Sequence, residues 1–395
     1  MKKLFALLVV ISYCVLALSQ ETPDTTGYQF TTVKELKVTP VKDQFRSGTC
    51  WSFSTIAMVE SELLRMGKGE YNLSEMFVVY QNYVEKADKY VRLEGNMNFG
   101  PGGSAEDVMH TIRDHGIVPQ EAMKGLNYGE DKHVHGELQA VASAYVSAII
   151  KNPNKKLSTA WKNGYKGILD AYLGAVPENF TYNGKSYTPQ SFAASLGFNP
   201  DDYVSLTSYT HHPFYKQFAL EIPDNWRWDL SYNIPLDEMM QVCDNAINNG
   251  YTIAWGTDVS EKGFTRNGIA VIPDINFQEL SNSEQARWLG LSQKEREDQL
   301  YKLDKPGYEK TITQEMRQIA YDNYETTDDH GMLIYGIAKD QRGTKYYMVK
   351  NSWGETGKYK GHWYASEAFV KYKTMSILVH KNALPAALKQ KLGIK

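Results

Sequence analysis

Residues 41–58 read VKDQFRSGTCWSFSTIAM. Cys50 follows a turn of small residues, Ser47, Gly48 and Thr49, and directly precedes WSFSTIAMVESELLRMG (51–67). In that stretch Phe53, Ile56, Ala57, Val59, Leu63 and Leu64 recur at helical spacing, and Gly67 is placed to stop the helix. A cysteine in the first turn of a helix faces free backbone N–H groups and the positive end of the helix dipole, so the position is expected to favour a thiolate near neutral pH. The thiolate is the nucleophile, and the thiol is not. Small residues before it let a substrate backbone come close. A buried cysteine is more often a small hydrophobe, so the reading depends on what the rest of the chain supplies.

Two downstream segments supply it. DDHGMLIYGI (328–337) places His330 at the start of an apolar strand, and KYYMVKNSWGETG (345–357) carries Asn351. A histidine can take the thiol proton, and an asparagine can accept the other imidazole N–H and so fix the tautomer. The pattern Q-x5-C-W-[ST]-F, here Gln44 through Phe53, resembles the active-site segment of papain-like cysteine peptidases. His330 and the Asn-Ser-Trp-Gly run at 351–354 resemble the other half of that site. The resemblance implies catalytic roles for Cys50, His330, Asn351 and Gln44. The Gln44 side chain and the Cys50 amide would hold the oxyanion, a charge that exists only in the transition state. Trp353 would shield Asn351.

His330 follows Cys50 by roughly 280 residues, against roughly 130–150 in the common papain-like enzymes. The longer spacing resembles the bleomycin hydrolase and aminopeptidase C branch, which carries large helical insertions. LSEMFVVYQNYVEKADKYV (73–91), PGGSAEDVMHTIRDHGIVPQEAM (101–123), YTIAWGTDV (251–259) and TQEMRQIAYDNYETTDDH (313–330) are similar to segments of that branch. By this resemblance Gly102 and Gly103 line the groove and pair with the substrate backbone, where only glycine lets two backbones approach. Members of the branch are aminopeptidases because a C-terminal arm fills part of the groove, and they assemble as hexamers. Here MSILVHKNALPAALKQKLGIK (375–395) stops before such an arm. The terminal carboxylate approaching the groove is one expectation, and an open groove with endopeptidase action is the other.

The N-terminus reads as a processing segment. Lys2 and Lys3 precede an apolar run from residue 4 to 18, and Ala17 and Ser19 are small residues placed for cleavage after Ser19. This is the pattern of a secretory signal peptide, with a run short for a membrane span. A secreted, periplasmic or extracellular enzyme is expected. Cys14 lies within the run behind the bulky Tyr13, which argues against lipid attachment. Cys50 and Cys243 then remain, able to form one bridge but no disulfide framework.

The whole chain of 395 residues has a net charge of −3, with 42% hydrophobic and 23% charged residues. That excludes the basic bias of a nucleic-acid or membrane-surface protein. It also allows one large core or two moderate ones. The expected fold is α+β: a papain-like two-lobed arrangement in residues 20–395. A helical lobe at about 33–119 holds Cys50, and a mainly helical insertion follows at about 120–245. An antiparallel, barrel-like β lobe at about 246–381 holds His330 and Asn351, with a helical insertion at 282–325.

Other candidates are weaker. His133, His135, His211 and His212 read as loop histidines, because no carboxylate or cysteine cluster accompanies them in sequence and a metal needs three or four convergent ligands. His362 reads as a strand residue, and Cys243 as core on an amphipathic helix. Asp329 either tunes His330 or is an exposed turn residue. Asn72-Leu73-Ser74 and Asn179-Phe180-Thr181 are glycosylation acceptor patterns. The expected function is hydrolysis of peptide bonds through a Cys50 acyl-enzyme, with peptides as partners and no cofactor or metal. A non-catalytic peptide-binding module and amide hydrolysis of a non-peptide are the rival readings.

Overall fold

The computed structural model describes residues 27–154 and 156–395. The signal-peptide reading of residues 1–19, Cys14 included, lies outside the described residues. Among those described, no helix is long and apolar enough to cross a membrane.

After strand β1 (Phe30–Glu35), the first half of the chain is helical: α1 (Cys50–Arg65), α2 (Glu75–Arg92), α3 (Ala105–His115), α4 (Gly136–Ile150) and α5 (Ala160–Leu173). α1 is buried along nearly its whole length, so its polar residues are also inside. Ser74 caps α2 by accepting from Phe77 N at 3.0 Å, and Ser104 with Asp107 forms a capping box at α3. A hairpin of β2 (Phe180–Tyr182) and β3 (Lys185–Tyr187) turns at Asn183–Gly184, where both residues have positive φ, as a two-residue hairpin loop requires. α6 (Pro189–Leu196) follows, capped by Thr188.

Residues 120–245, expected to be mainly helical, also give three strands to the main sheet: β4 (Tyr203–Thr207), β5 (Gln217–Ala219) and β6 (Leu230–Asn233), ahead of α7 (Leu236–Asn248). These strands are three to five residues long and lie among Tyr, Pro and Asn, too short for an alternating pattern to stand out. The chain continues through β7 (Ile253–Thr257), β8 (Ile269–Ala270) and β9 (Pro273–Asp274), then α8 (Asn282–Leu289) and α9 (Gln293–Leu300). β10 (Tyr308–Glu309) and α10 (Gln314–Asp322) precede β11 (His330–Asp340), β12 (Lys345–Lys350) and β13 (His362–Ser366). α11 (Glu367–Lys373), β14 (Thr374–His380) and α12 (Ala386–Leu392) end it.

The main sheet runs β5-β6-β4-β14-β7-β11-β12-β13-β8, with β1 also paired to β11. It is antiparallel except where β4 meets β6 and β13 meets β8. The path among the described residues is open. The barrel-like lobe of the sequence reading is therefore an extended mixed sheet. Two large apolar cores result among the described residues. One gathers α1 to α6, and Ala254, Leu333 and Leu378 of the sheet reach into it. The other lies on the sheet with α7, α11 and α12 and contains Cys243, which is fully buried. α1 packs against β11, and that contact sets the distance between the two halves.

Candidate active site

Cys50 is the first residue of α1, so its own N–H has no acceptor within the helix. The turn before it depends on Gly48 (φ 67°), where a Cβ would also meet Pro101 Cγ at 2.7 Å. Across the interface β11 begins at His330, and the next residue, Gly331, lies against the start of α1. A Cβ there would meet Ser54 Oγ at 2.9 Å and the Trp51 backbone at 3.3 Å. This close approach puts Cys50 and His330 in one cleft.

His330 Nε2 lies 2.7 Å from Asn351 Oδ1, which leaves Nδ1 to serve the sulfur. The Trp353 ring covers the imidazole, with centroids 4.7 Å apart, and is itself backed by Phe264 and Trp363. Trp353 is thus placed on the histidine and does not line the cleft. The segment with Gln44 pairs with the same strand end: Gln44 N donates to the Ser352 carbonyl at 2.8 Å, and Gly354 N to the Lys42 carbonyl at 3.1 Å. Ser352 Oγ donates to Gln44 Oε1 at 2.6 Å, so the amide nitrogen is left without an acceptor among the described residues.

Burial pushes the Cys50 thiol up to about 12, opposed by the backbone N–H groups of Gly331 and Trp51 and reinforced by the carboxylates of Asp328 and Asp224. Burial also holds the His330 imidazole down at about 4, partly offset by its bond to Asn351. Two effects therefore act in opposite directions on the thiolate expected from the sequence: the helix N-terminus favours it, and desolvation of the charged forms opposes it.

The cleft is lined by Cys50, Gly103, Asp224, Asp328, His330 and Ser376, among others. Gly103 packs on Trp51, whose Nε1 donates to the Pro101 carbonyl at 2.9 Å. Gly102 is covered: a Cβ there would collide with both carboxylate oxygens of Asp224. The loop that carries Asp224 is clamped to α2 and α3. Buried Asp107 accepts from Trp226 Nε1 at 3.0 Å and pairs with Arg227, which also pairs with Glu85. Lys89 Nζ donates to the Arg227 carbonyl at 2.9 Å and stands 3.6 Å over the Trp228 ring.

The remaining candidates fall elsewhere. His133 and His135 lie in the loop before α4, as read, and both are buried. Backbone bonds from Arg46 N to the His133 carbonyl and from His135 N to the Arg46 carbonyl fasten the Gln44 segment. His211 and His212 do have a carboxylate: Glu221 Oε2 and Oε1 lie 3.1 and 2.9 Å from their Nε2 atoms. Among the described residues these three are the group whose atoms converge as metal ligands would. Sequence alone missed Glu221 because the turn that returns it is not visible in the spacing. His362 opens β13, as read. Asp329 accepts from Val259 N at 2.8 Å and is raised to about 6, mainly by burial. Cys50 and Cys243 are both free thiols. Sequence reading also passed over Gly331, Ser352, Asp224 and Asp328. Of these, Gly331, Ser352 and Asp328 carried a local signal, as near neighbours of His330 and Asn351, and Asp224 carried none.

Comparison with known proteins agrees with this geometry. The model of the papain family cysteine proteases matches residues 27–175, and that of the peptidase C1-like family matches residues 296–394. Aminopeptidase G of Lactobacillus delbrueckii subsp. lactis is 22% identical over 89% of this chain and 83% of its own. Aminopeptidase C of Streptococcus thermophilus is 22% identical over 88% and 81%. The crystal structure of PepW from Lactobacillus rhamnosis HN001 superposes with a TM-score of 0.68 at 21% identity, covering 92% of this chain and 84% of that one, a likeness of fold. With one matched segment carrying Gln44 and Cys50 and the other His330 and Asn351, the chain belongs to the papain-like cysteine peptidases.

Proposed function

We propose that this protein is an exported aminopeptidase that removes residues from the free N-termini of peptides through a Cys50 acyl-enzyme. As the sulfur attacks the scissile carbonyl, the thiol proton passes to His330 Nδ1. The carbonyl oxygen becomes an oxyanion beside Gln44 Nε2 and the Cys50 N–H. The imidazolium gives its proton to the leaving amine. The neutral ring then takes a proton from water, which attacks the thioester and frees the acid and the thiol. Asn351 keeps Nε2–H engaged throughout, so Nδ1 is always the nitrogen in play.

The observation that carries the aminopeptidase reading is the Asp224 carboxylate over Gly102. An extended chain running past Cys50 along Gly102 would meet that carboxylate, whereas a substrate that begins beside Cys50 would not. The names of the relatives support the same reading. The test compares peptides with free and acetylated N-termini, with Cys50→Ala as the blank. Much faster cleavage of free-amine than of acetylated peptides is expected. Equal cleavage of acetylated peptides at internal bonds would make the protein an endopeptidase. Export rests on the sequence of residues 1–19 and is tested by N-terminal sequencing of the mature protein, expected to begin after Ser19.

A further inference from the structure

We infer that Asp224 and Asp328 together receive the free α-ammonium of the peptide substrate and so fix its first residue relative to Cys50. This rests on the aminopeptidase reading and names the groups that would enforce it. Both side chains line the cleft that holds Cys50 and His330. They come from unrelated parts of the chain, the clamped loop after β5 and the residues just before β11. Neither carboxylate makes a hydrogen bond or ion pair with any described residue, unlike Asp107, which is satisfied from three sides. Asp107 is fully buried and so must be paired, whereas Asp224 and Asp328 keep partial exposure to the cleft, where a ligand can reach their unused oxygens.

The charge around them is unbalanced. Asp328 is raised well above the usual carboxylate range by burial and then by Asp224, Asp329 and Glu106. Lys86 acts on Asp224 from beyond ion-pair distance, and its Nζ is turned to the carbonyls of Gly100 and Gly102. Two close carboxylates with no cation between them relieve their repulsion by holding a proton. An ammonium can replace that proton and supplies three donors to the unused oxygens. Its arrival would also cancel the negative charge that helps hold the Cys50 thiol up, so the right substrate would ease ionisation of the nucleophile.

The nearby carboxylates are otherwise engaged: Asp329, which also lines the cleft, accepts from Val259 N at 2.8 Å, and Glu106 is hydrogen-bonded to Ser205. Leu388 and Leu392 of α12 share the sheet-side core with Met239 and Val242, and Lys391 pairs with Glu238 at 2.5 Å. The last residue in sequence that lines the cleft is Ser376, so the terminal carboxylate is not there.

The experiment uses the full chain and two fluorogenic peptides that differ only in a free or acetylated N-terminus. In Asp224→Asn and Asp328→Asn the ratio of kcat/KM for the free peptide to that for the acetylated one should fall about tenfold or more, mostly through KM. A parallel loss on both peptides, or an unchanged ratio, would overturn the anchor. Should the variants not fold, the parent decides. A chloromethyl ketone of a free amino acid should inactivate Cys50 about tenfold faster than its N-acetyl form, and equal rates would overturn the anchor. A parent with no preference for free amines defeats the aminopeptidase reading itself. A parent with that preference, retained in both Asn variants, defeats the anchor alone.

Discussion

The Ser352 hydroxyl orients the Gln44 amide: Oγ donates to Oε1 at 2.6 Å, and the Gln44 N–H returns a bond to the Ser352 carbonyl at 2.8 Å. With its oxygen occupied, the amide can present only Nε2 to an oxyanion. Gln44→Ala should therefore lower kcat about 10²–10³-fold, as loss of one preorganised donor does elsewhere. Ser352→Ala keeps the donor but frees it to rotate, so a loss of about tenfold is expected, with KM little changed. Steady-state kinetics on both variants checks this. A silent Ser352→Ala would mean that the amide is held by something other than this hydroxyl.

The pH profile should report on His330. Burial holds its imidazole down at about 4, so the ring stays neutral and able to accept a proton from neutral pH down to about that value. The acid limb that it sets on kcat/KM should lie near there. Asn351→Asp would put a carboxylate 2.7 Å from Nε2, which favours the imidazolium and raises its pKa. The limb then moves to higher pH, and activity at pH 5 falls relative to pH 7. A limb unmoved by this change would show that another group sets it.

The catalytic segments were legible because their chemistry is local. A cysteine ahead of a helical pattern, a histidine opening an apolar strand and an Asn-Ser-Trp-Gly turn each show in a few neighbouring residues. What was not legible depends on residues far apart in sequence. Nothing near Gly102 announces that Asp224 covers it, and nothing near His211 announces Glu221. The electrostatics of Cys50 were only half legible for a related reason: the helix start is visible in sequence, but the surrounding desolvation that opposes it is not. The strands β4 to β6 were missed because they are held by pairing with β14 and with one another, with too few residues to show a pattern.

Gly331 lets β11 lie close against the start of α1. Gly331→Ala brings a methyl to 3.3 Å from the Trp51 backbone, which belongs to a buried helix and has nowhere to retreat. Overpacking of this kind costs about 1–3 kcal/mol, measurable by urea unfolding. The larger effect should be on turnover. Pushing β11 off α1 moves His330 away from Cys50, and a displacement of about 1 Å can cost about 10²-fold in rate. A variant that loses stability while keeping kcat would show that the cleft adjusts independently of this contact.

Arg227 holds the loop that puts Asp224 over Gly102. Its guanidinium pairs with Glu85 and with Asp107, whose side chain is fully buried. Arg227→Ala leaves that carboxylate without its charged partner, with only the Ser104 and Trp226 N–H groups still donating to it, and breaking a buried ion pair from one side costs about 3–5 kcal/mol. Lower thermal stability is expected, but it would follow whether or not the loop matters for specificity. The informative readout is the ratio of acetylated to free peptide cleavage. Once the clamp is loosened, Asp224 can leave Gly102, extended substrates gain room, and that ratio should rise. Arg227→Lys keeps the charge but not the fork that reaches both acids, so it should fall between the parent and Arg227→Ala on both measures. Destabilisation with an unchanged ratio would separate the clamp from the selection of free N-termini and leave Asp224 positioned by the loop backbone alone.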